Sequence, residues 1–160
     1  MLFALRNVGL LLAIVCLSVT AACSKGKNEP QLDLTPASGT ITLDGRPLAD
    51  ADVTFALQET PPAGYFGSAG RTDAEGKYVL MSGTKKGAVP GTYKVAVSRI
   101  EAPGGATVNP EGGMDLAQLA ASGEAKQTVP AKYTDVSTTE LSATVEKGKT
   151  EGYNFDLKGG

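Results

Sequence analysis

The stretch GRTDAEGKYVL, Gly70 to Leu80, sets two carboxylates, Asp73 and Glu75, just ahead of Gly76. Oxygen donors followed by a glycine are how a calcium loop begins, because the cation takes about six to eight oxygens and the chain must bend between them. The EF-hand pattern spaces its ligands as D-x-[DN]-x-[DN]-G with a Glu beyond, and that Glu is missing here at the required spacing. The same residues suit the tip of a hairpin. Asp73 can bond to nearby backbone, and Gly76 can take the positive φ that a tight turn needs. Asp73, Glu75 and Gly76 are therefore read as a hairpin turn, with no metal and no cofactor expected.

Other reactive groupings are weaker. The chain has no histidine, which removes the commonest general base and the commonest zinc ligand, and with them any Ser-His-Asp or Cys-His site. Asp50 and Asp52 lie two apart, so on a strand they share a face as a glycosidase pair would, but their setting reads as a solvated strand start. Ser82-Gly83-Thr84-Lys85 offers a Ser-Lys arrangement inside a loop signal. Asn154 stands where a Lys–Asn isopeptide crosslink would want its asparagine, yet GTITLDG, the first strand, supplies no lysine. Tyr65 and Phe66, in PPAGYFGSAG, are flanked by turn residues and are the candidate platform for a sugar ring; packing inside the fold is the competing reading. No catalytic residue is expected.

At the front, MLFALRNVGLLLAIVCLSVTAAC carries one positive charge, Arg6, then a largely apolar run from Val8 to Val19, then small residues and Cys23. A basic start, apolar centre and small-residue box are the layout of an export signal, although an apolar stretch of this length also approaches a membrane span. Thr20-Ala21-Ala22-Cys23 resembles the box of a bacterial lipoprotein signal peptide, with Thr20 in the position where Leu, Val or Ile is usual. That resemblance implies removal of residues 1–22, a diacylglycerol thioether on Cys23 and, as a rule, an acylated amine. A single chain binds membranes marginally and two or more hold stably. Cys23 would be the sole cysteine left, with 14 basic residues against 17 acidic ones. A net charge so mild gives no footprint for nucleic acid.

From residue 23 to 38 the composition is that of a flexible tether. Beyond it a period of two takes over, the signature of strands with one dry face. Ile41 and Leu43 share a face, as do Val53, Phe55 and Leu57; Tyr93, Val95 and Val97; Leu141, Ala143 and Val145; and Tyr153, Phe155 and Leu157. Asp44-Gly45 signals a hairpin. The pattern predicts an all-β, antiparallel sandwich of about seven strands over 39–158. A long insertion, 101–135, breaks the rhythm, and a short helix is expected within MDLAQLAASGEAK.

The order GTITLDGRPLADADVTFAL, GRTDAEGKYVL, VPGTYKVAVS resembles a carboxypeptidase-regulatory-like domain, a transthyretin-like sandwich. The end of the chain resembles small lipoproteins of planctomycete-type bacteria. Asp52 stands where many relatives carry a small or apolar residue. The resemblance implies architecture above all, since such domains accompany enzymes without doing chemistry, and fold alone does not convey function. The expectation is a non-catalytic envelope module, anchored in the membrane through Cys23, that serves a structural role or binds a protein. A module for glycans or another ligand, using Tyr65 and Phe66 or the 101–135 segment, is the alternative.

Overall fold

The computed structural model describes residues 31–102, 123 and 125–159. The expectations for residues 1–22, for Thr20, Ala21, Ala22 and Cys23, for the tether up to residue 30 and for most of the Met114–Lys126 segment lie outside the described residues. The described chain is all-β. Its strands are β1 (Ser38–Leu43), β2 (Arg46–Pro47), β3 (Asp52–Leu57), β4 (Ser68–Arg71), β5 (Lys77–Val79), β6 (Met81–Ser82), β7 (Lys85–Lys86), β8 (Gly91–Ser98), β9 (Ile100–Glu101), β10 (Lys126–Gln127), β11 (Ser142–Val145) and β12 (Phe155–Leu157). One 3-10 turn covers Ala131–Tyr133. No helix among the described residues is long and apolar enough to cross a membrane.

The period-two segments become the central strands. In β3, Val53 and Phe55 are fully buried while Thr54 between them is exposed. In β8, Tyr93, Val95 and Val97 are fully buried; Ala96, assigned by alternation to the wet face, is buried as well. Asp44 and Gly45 both have positive φ, 52° and 76°, and place Leu43 opposite Arg46, as a two-residue hairpin requires.

Six strands form the larger sheet in the order β11-β8-β3-β4-β6-β7, antiparallel throughout. The smaller sheet runs β12-β1-β2, with β5 also paired to β1. Its β1–β12 pair is parallel, an exception to the expected antiparallel order. The two sheets share one core, a sandwich-like arrangement. Phe55 of the larger sheet sits at its centre, with ring centroids 5.6 Å from Tyr93, 6.2 Å from Tyr78 and 6.3 Å from Phe155. Spacings of this order suit tilted and edge-on aromatic pairs.

The strands are shorter and more numerous than the expected seven, because extended runs change partners part-way. From Lys77 to Ser82 the backbone first pairs with β1, then with β4 and β7. At the crossover Leu80 is fully buried; its N–H donates to the Ala37 carbonyl and its own carbonyl accepts from Gly87.

Two boundaries move. Residues 31–38 are not free tether throughout. Thr35 exchanges two backbone hydrogen bonds with Ala88, of 2.8 and 2.9 Å, and Ala37 is buried. That approach depends on Gly87, where a Cβ would lie 2.4 Å from the Thr35 carbonyl oxygen. The 101–135 insertion is also narrower than its sequence limits. β9 and β10 pair across its neck, and Val129 and Tyr133 beyond it are buried in the core.

Candidate functional site

The stretch that suggested calcium is a turn. Asp73 accepts two backbone N–H bonds through one oxygen, Oδ1, from Glu75 at 3.0 Å and Lys77 at 2.8 Å. Gly76 has a φ of 75°, and Glu75 is exposed. Among the described residues no group of three His, Cys, Asp or Glu side chains could hold a metal ion. The flanking strands, however, do not form the expected hairpin. β4 pairs with β6, whereas β5 leaves for β1. The turn lies against the first strand: Gly76 accepts from Ile41 N–H at 2.8 Å, and a Cβ on Gly76 would lie 2.5 Å from the Ile41 carbonyl oxygen. That close contact carries the outgoing chain to the smaller sheet.

The other groupings are tied into the fold. Asp50 and Asp52 are bridged by Arg71, whose Nη1 lies 3.0 Å from Asp52 and whose Nε lies 3.8 Å from Asp50. Arg71 was missed from sequence, where it read only as strand; its role follows from the rung that sets it opposite Asp52. Ser82 and Lys85 are opposed in register across a two-residue turn, but Lys85 is exposed while Ser82 Oγ donates to the Gly87 carbonyl at 2.7 Å. Asn154 Oδ1 accepts from Thr40 N–H and thereby pins the first strand.

Two tyrosines have hydroxyls pushed far above the ordinary phenol range. For Tyr78 the leading cause is burial; its O–H donates to the Tyr153 carbonyl at 2.7 Å. For Tyr93 burial again leads, followed by the hydrogen bond with Tyr65. Both stay protonated and serve as donors, not nucleophiles.

The aromatic pair Tyr65–Phe66 divides. Glycines at positive φ flank it, Gly64 at 81° and Gly67 at 104°, and the two adjacent rings meet opposite fates. Tyr65 is buried, with its N–H bonded to the Pro62 carbonyl. Its hydroxyl lies 2.8 Å from Ser68 Oγ and 3.0 Å from the Tyr93 hydroxyl. Since Tyr93 gives its proton to the Val89 carbonyl at 2.6 Å, Tyr65 is the donor in its contact with Tyr93, and Ser68 Oγ, which also lies 2.6 Å from Ser82 Oγ, joins the same cluster of hydroxyls. Phe66 is 99% exposed. The expected two-ring platform is thus a single ring, mounted on a buried anchor.

Phe66 borders an open groove of about 630 Å³ on the larger sheet. Thr54, Ala69, Gly70 and Met81 line it, and so do Asp52 and Arg71. A second concavity of about 870 Å³ lies over β1 and β5, but among its polar lining Asp73 and Asn154 hold backbone N–H groups of the fold itself. Comparison with protein-family models, with curated proteins and with solved structures yields no match to this chain.

Proposed function

We propose that this chain is a lipid-anchored, non-catalytic module of the bacterial cell envelope, a transthyretin-like sandwich that works by binding rather than by chemistry. The observation that carries this reading is Phe66, an aromatic ring exposed in full and held by a buried hydrogen-bonded neighbour. Leaving such a ring in water forgoes about 1.5–3 kcal/mol of burial, which a binding partner recovers. The titratable groups described above act as fold contacts: Asp50 and Asp52 neutralise Arg71, and Tyr78 and Tyr93 are locked as donors. The resemblance of Thr20-Ala21-Ala22-Cys23 to a lipoprotein box supports the anchor, and the order of the strand motifs supports the family.

Two measurements test the reading. Intact mass and membrane fractionation of the protein, beside a Cys23→Ala variant, should show loss of residues 1–22 plus acyl chains in the first and no lipid in the second. An unlipidated wild-type chain would defeat the anchor. A photo-crosslinking residue at position 66 should trap a component of intact envelopes, whereas one at exposed Val136 should not. Equal yields at both positions would defeat the binding role of Phe66.

A further inference from the structure

We infer that the groove beside Phe66 binds a saccharide chain, with one sugar ring stacked on Phe66 and its hydroxyls directed toward the Arg71–Asp52 pair. The inference rests on the binding-module reading above and names its ligand class.

The groove combines three surfaces that a sugar needs together. Phe66 offers a flat apolar face, open on every side at 99% exposure. Its place in the chain is anchored by Tyr65 before it, whose hydroxyl contacts Ser68 and Tyr93. Two glycines flank the pair, so neither neighbour carries a side chain to cover the ring. The floor has low relief: Ala69 and Thr54 face each other across β3 and β4, and both are exposed. At the far end, two residues along each strand, Asp52 faces Arg71. That spacing is about 7 Å along the sheet. Arg71 Nη1 holds both Asp52 oxygens, at 3.0 and 3.3 Å, while both side chains stay partly exposed, at 28% and 30%. Planar donors and acceptors therefore stand side by side at the groove's end, with the Thr54 hydroxyl between them and Phe66.

A pyranose ring has C–H faces and O–H edges. It matches an isolated aromatic face with hydrogen-bonding groups nearby, and it needs no deep apolar pocket. A peptide strand is a poorer match. It would draw its affinity from main-chain bonds at a free sheet edge, but this groove crosses the face of β3 and β4, where β3 is paired along both edges and β4 is paired with β3 along its length. A globular partner would want several buried anchors at its centre, and Phe66 stands here as the only large apolar side chain among the described residues of this groove that is exposed.

The test is titration of the full-length lipidated chain in detergent with soluble oligosaccharides of glucose, N-acetylglucosamine and xylose. Phe66→Ala, Phe66→Tyr and Val136→Ala are run beside the wild type, each with its thermal midpoint checked. The expected result is binding of at least one oligosaccharide, weakened tenfold or more by Phe66→Ala, kept by Phe66→Tyr and unmoved by Val136→Ala. Equal affinity in wild type and Phe66→Ala overturns the site. If no sugar binds, the saccharide reading falls, and the crosslinker at position 66 separates the two levels. A trapped envelope protein leaves the binding module standing with a different class of ligand; trapping nothing removes both.

Discussion

Replacing Gly39 with alanine should be among the most damaging small changes in this domain. A Cβ there would lie 1.9 Å from the Tyr153 carbonyl oxygen and 2.5 Å from its carbon, both backbone atoms that cannot rotate aside. The 150–154 segment would have to retreat until the contact exceeds 3.0 Å. That movement lengthens the Tyr153 N–H bond to Ser38, already 3.2 Å, and draws the Tyr153 carbonyl from the Tyr78 hydroxyl, now 2.7 Å away. A buried hydroxyl left unsatisfied costs about 1–3 kcal/mol, and overpacking adds about 1–3 kcal/mol. The unfolded-state benefit of Gly→Ala is only about 0.4–1 kcal/mol and opposite in sign. The net loss expected is about 1–5.5 kcal/mol, set against a total stability on the order of 5–15 kcal/mol. Urea unfolding of wild type, Gly39→Ala, Tyr78→Phe and the double variant measures it. Tyr78→Phe should cost about 1 kcal/mol alone and clearly less once Gly39 has been changed, since the hydroxyl has already lost its acceptor. A Gly39→Ala variant within 1 kcal/mol of wild type, additive with Tyr78→Phe, would refute the close approach.

Further outcomes follow from the same geometry. Tyr65→Phe removes the hydroxyl that contacts both Tyr93 and Ser68; it should cost about 1 kcal/mol in a denaturant melt and raise amide exchange around Phe66. Asp73→Ala frees two backbone N–H groups and should cost about 1 kcal/mol; an unchanged midpoint would show that water replaces the carboxylate in full. Acid should weaken the fold. Asp156, through the Lys158 ammonium and the Thr42 hydroxyl, Asp135, through Ser137, and Glu59, through Thr92 N–H, all titrate below their ordinary range. A depressed folded value means the stabilisation is complete above the unfolded pKa, about 4, and is lost as pH falls through the folded values. The urea midpoint should therefore drop below about pH 4, and Asp156→Asn should flatten that drop; a midpoint indifferent to acid would remove these contacts from the account.

Much of the fold was legible wherever one side chain decides its own burial. Val53, Phe55, Tyr93, Val95 and Val97 alternate in the chain and are buried as the alternation says. Asp44-Gly45 makes the turn its chemistry requires. What could not be read depends on partners distant in sequence. Nothing local to Lys77–Ser82 tells that it serves two sheets, or that Thr35 pairs with Ala88. The proposed binding surface divides in the same way. Two aromatics flanked by glycines mark an unusual loop, but which ring turns inward is decided by Ser68 and Tyr93. Arg71 gains its partners only from strand register.

The parallel union of β1 and β12 sets how the domain bears mechanical load. Tension drawn between its leading and trailing ends would slide these two strands lengthwise, since the start of one and the finish of the other point to opposite ends of a parallel ladder. The rungs from Ile41–Phe155 to Leu43–Leu157 would then share the force together, where a hairpin pulled apart at its open end yields rung by rung. The isolated Thr35–Ala88 bridge lies ahead of them and would give way first, lengthening the lead while the core stays closed. Phe66 belongs to the other sheet's side of the molecule, so a ligand held there could be tugged without the grip being distorted.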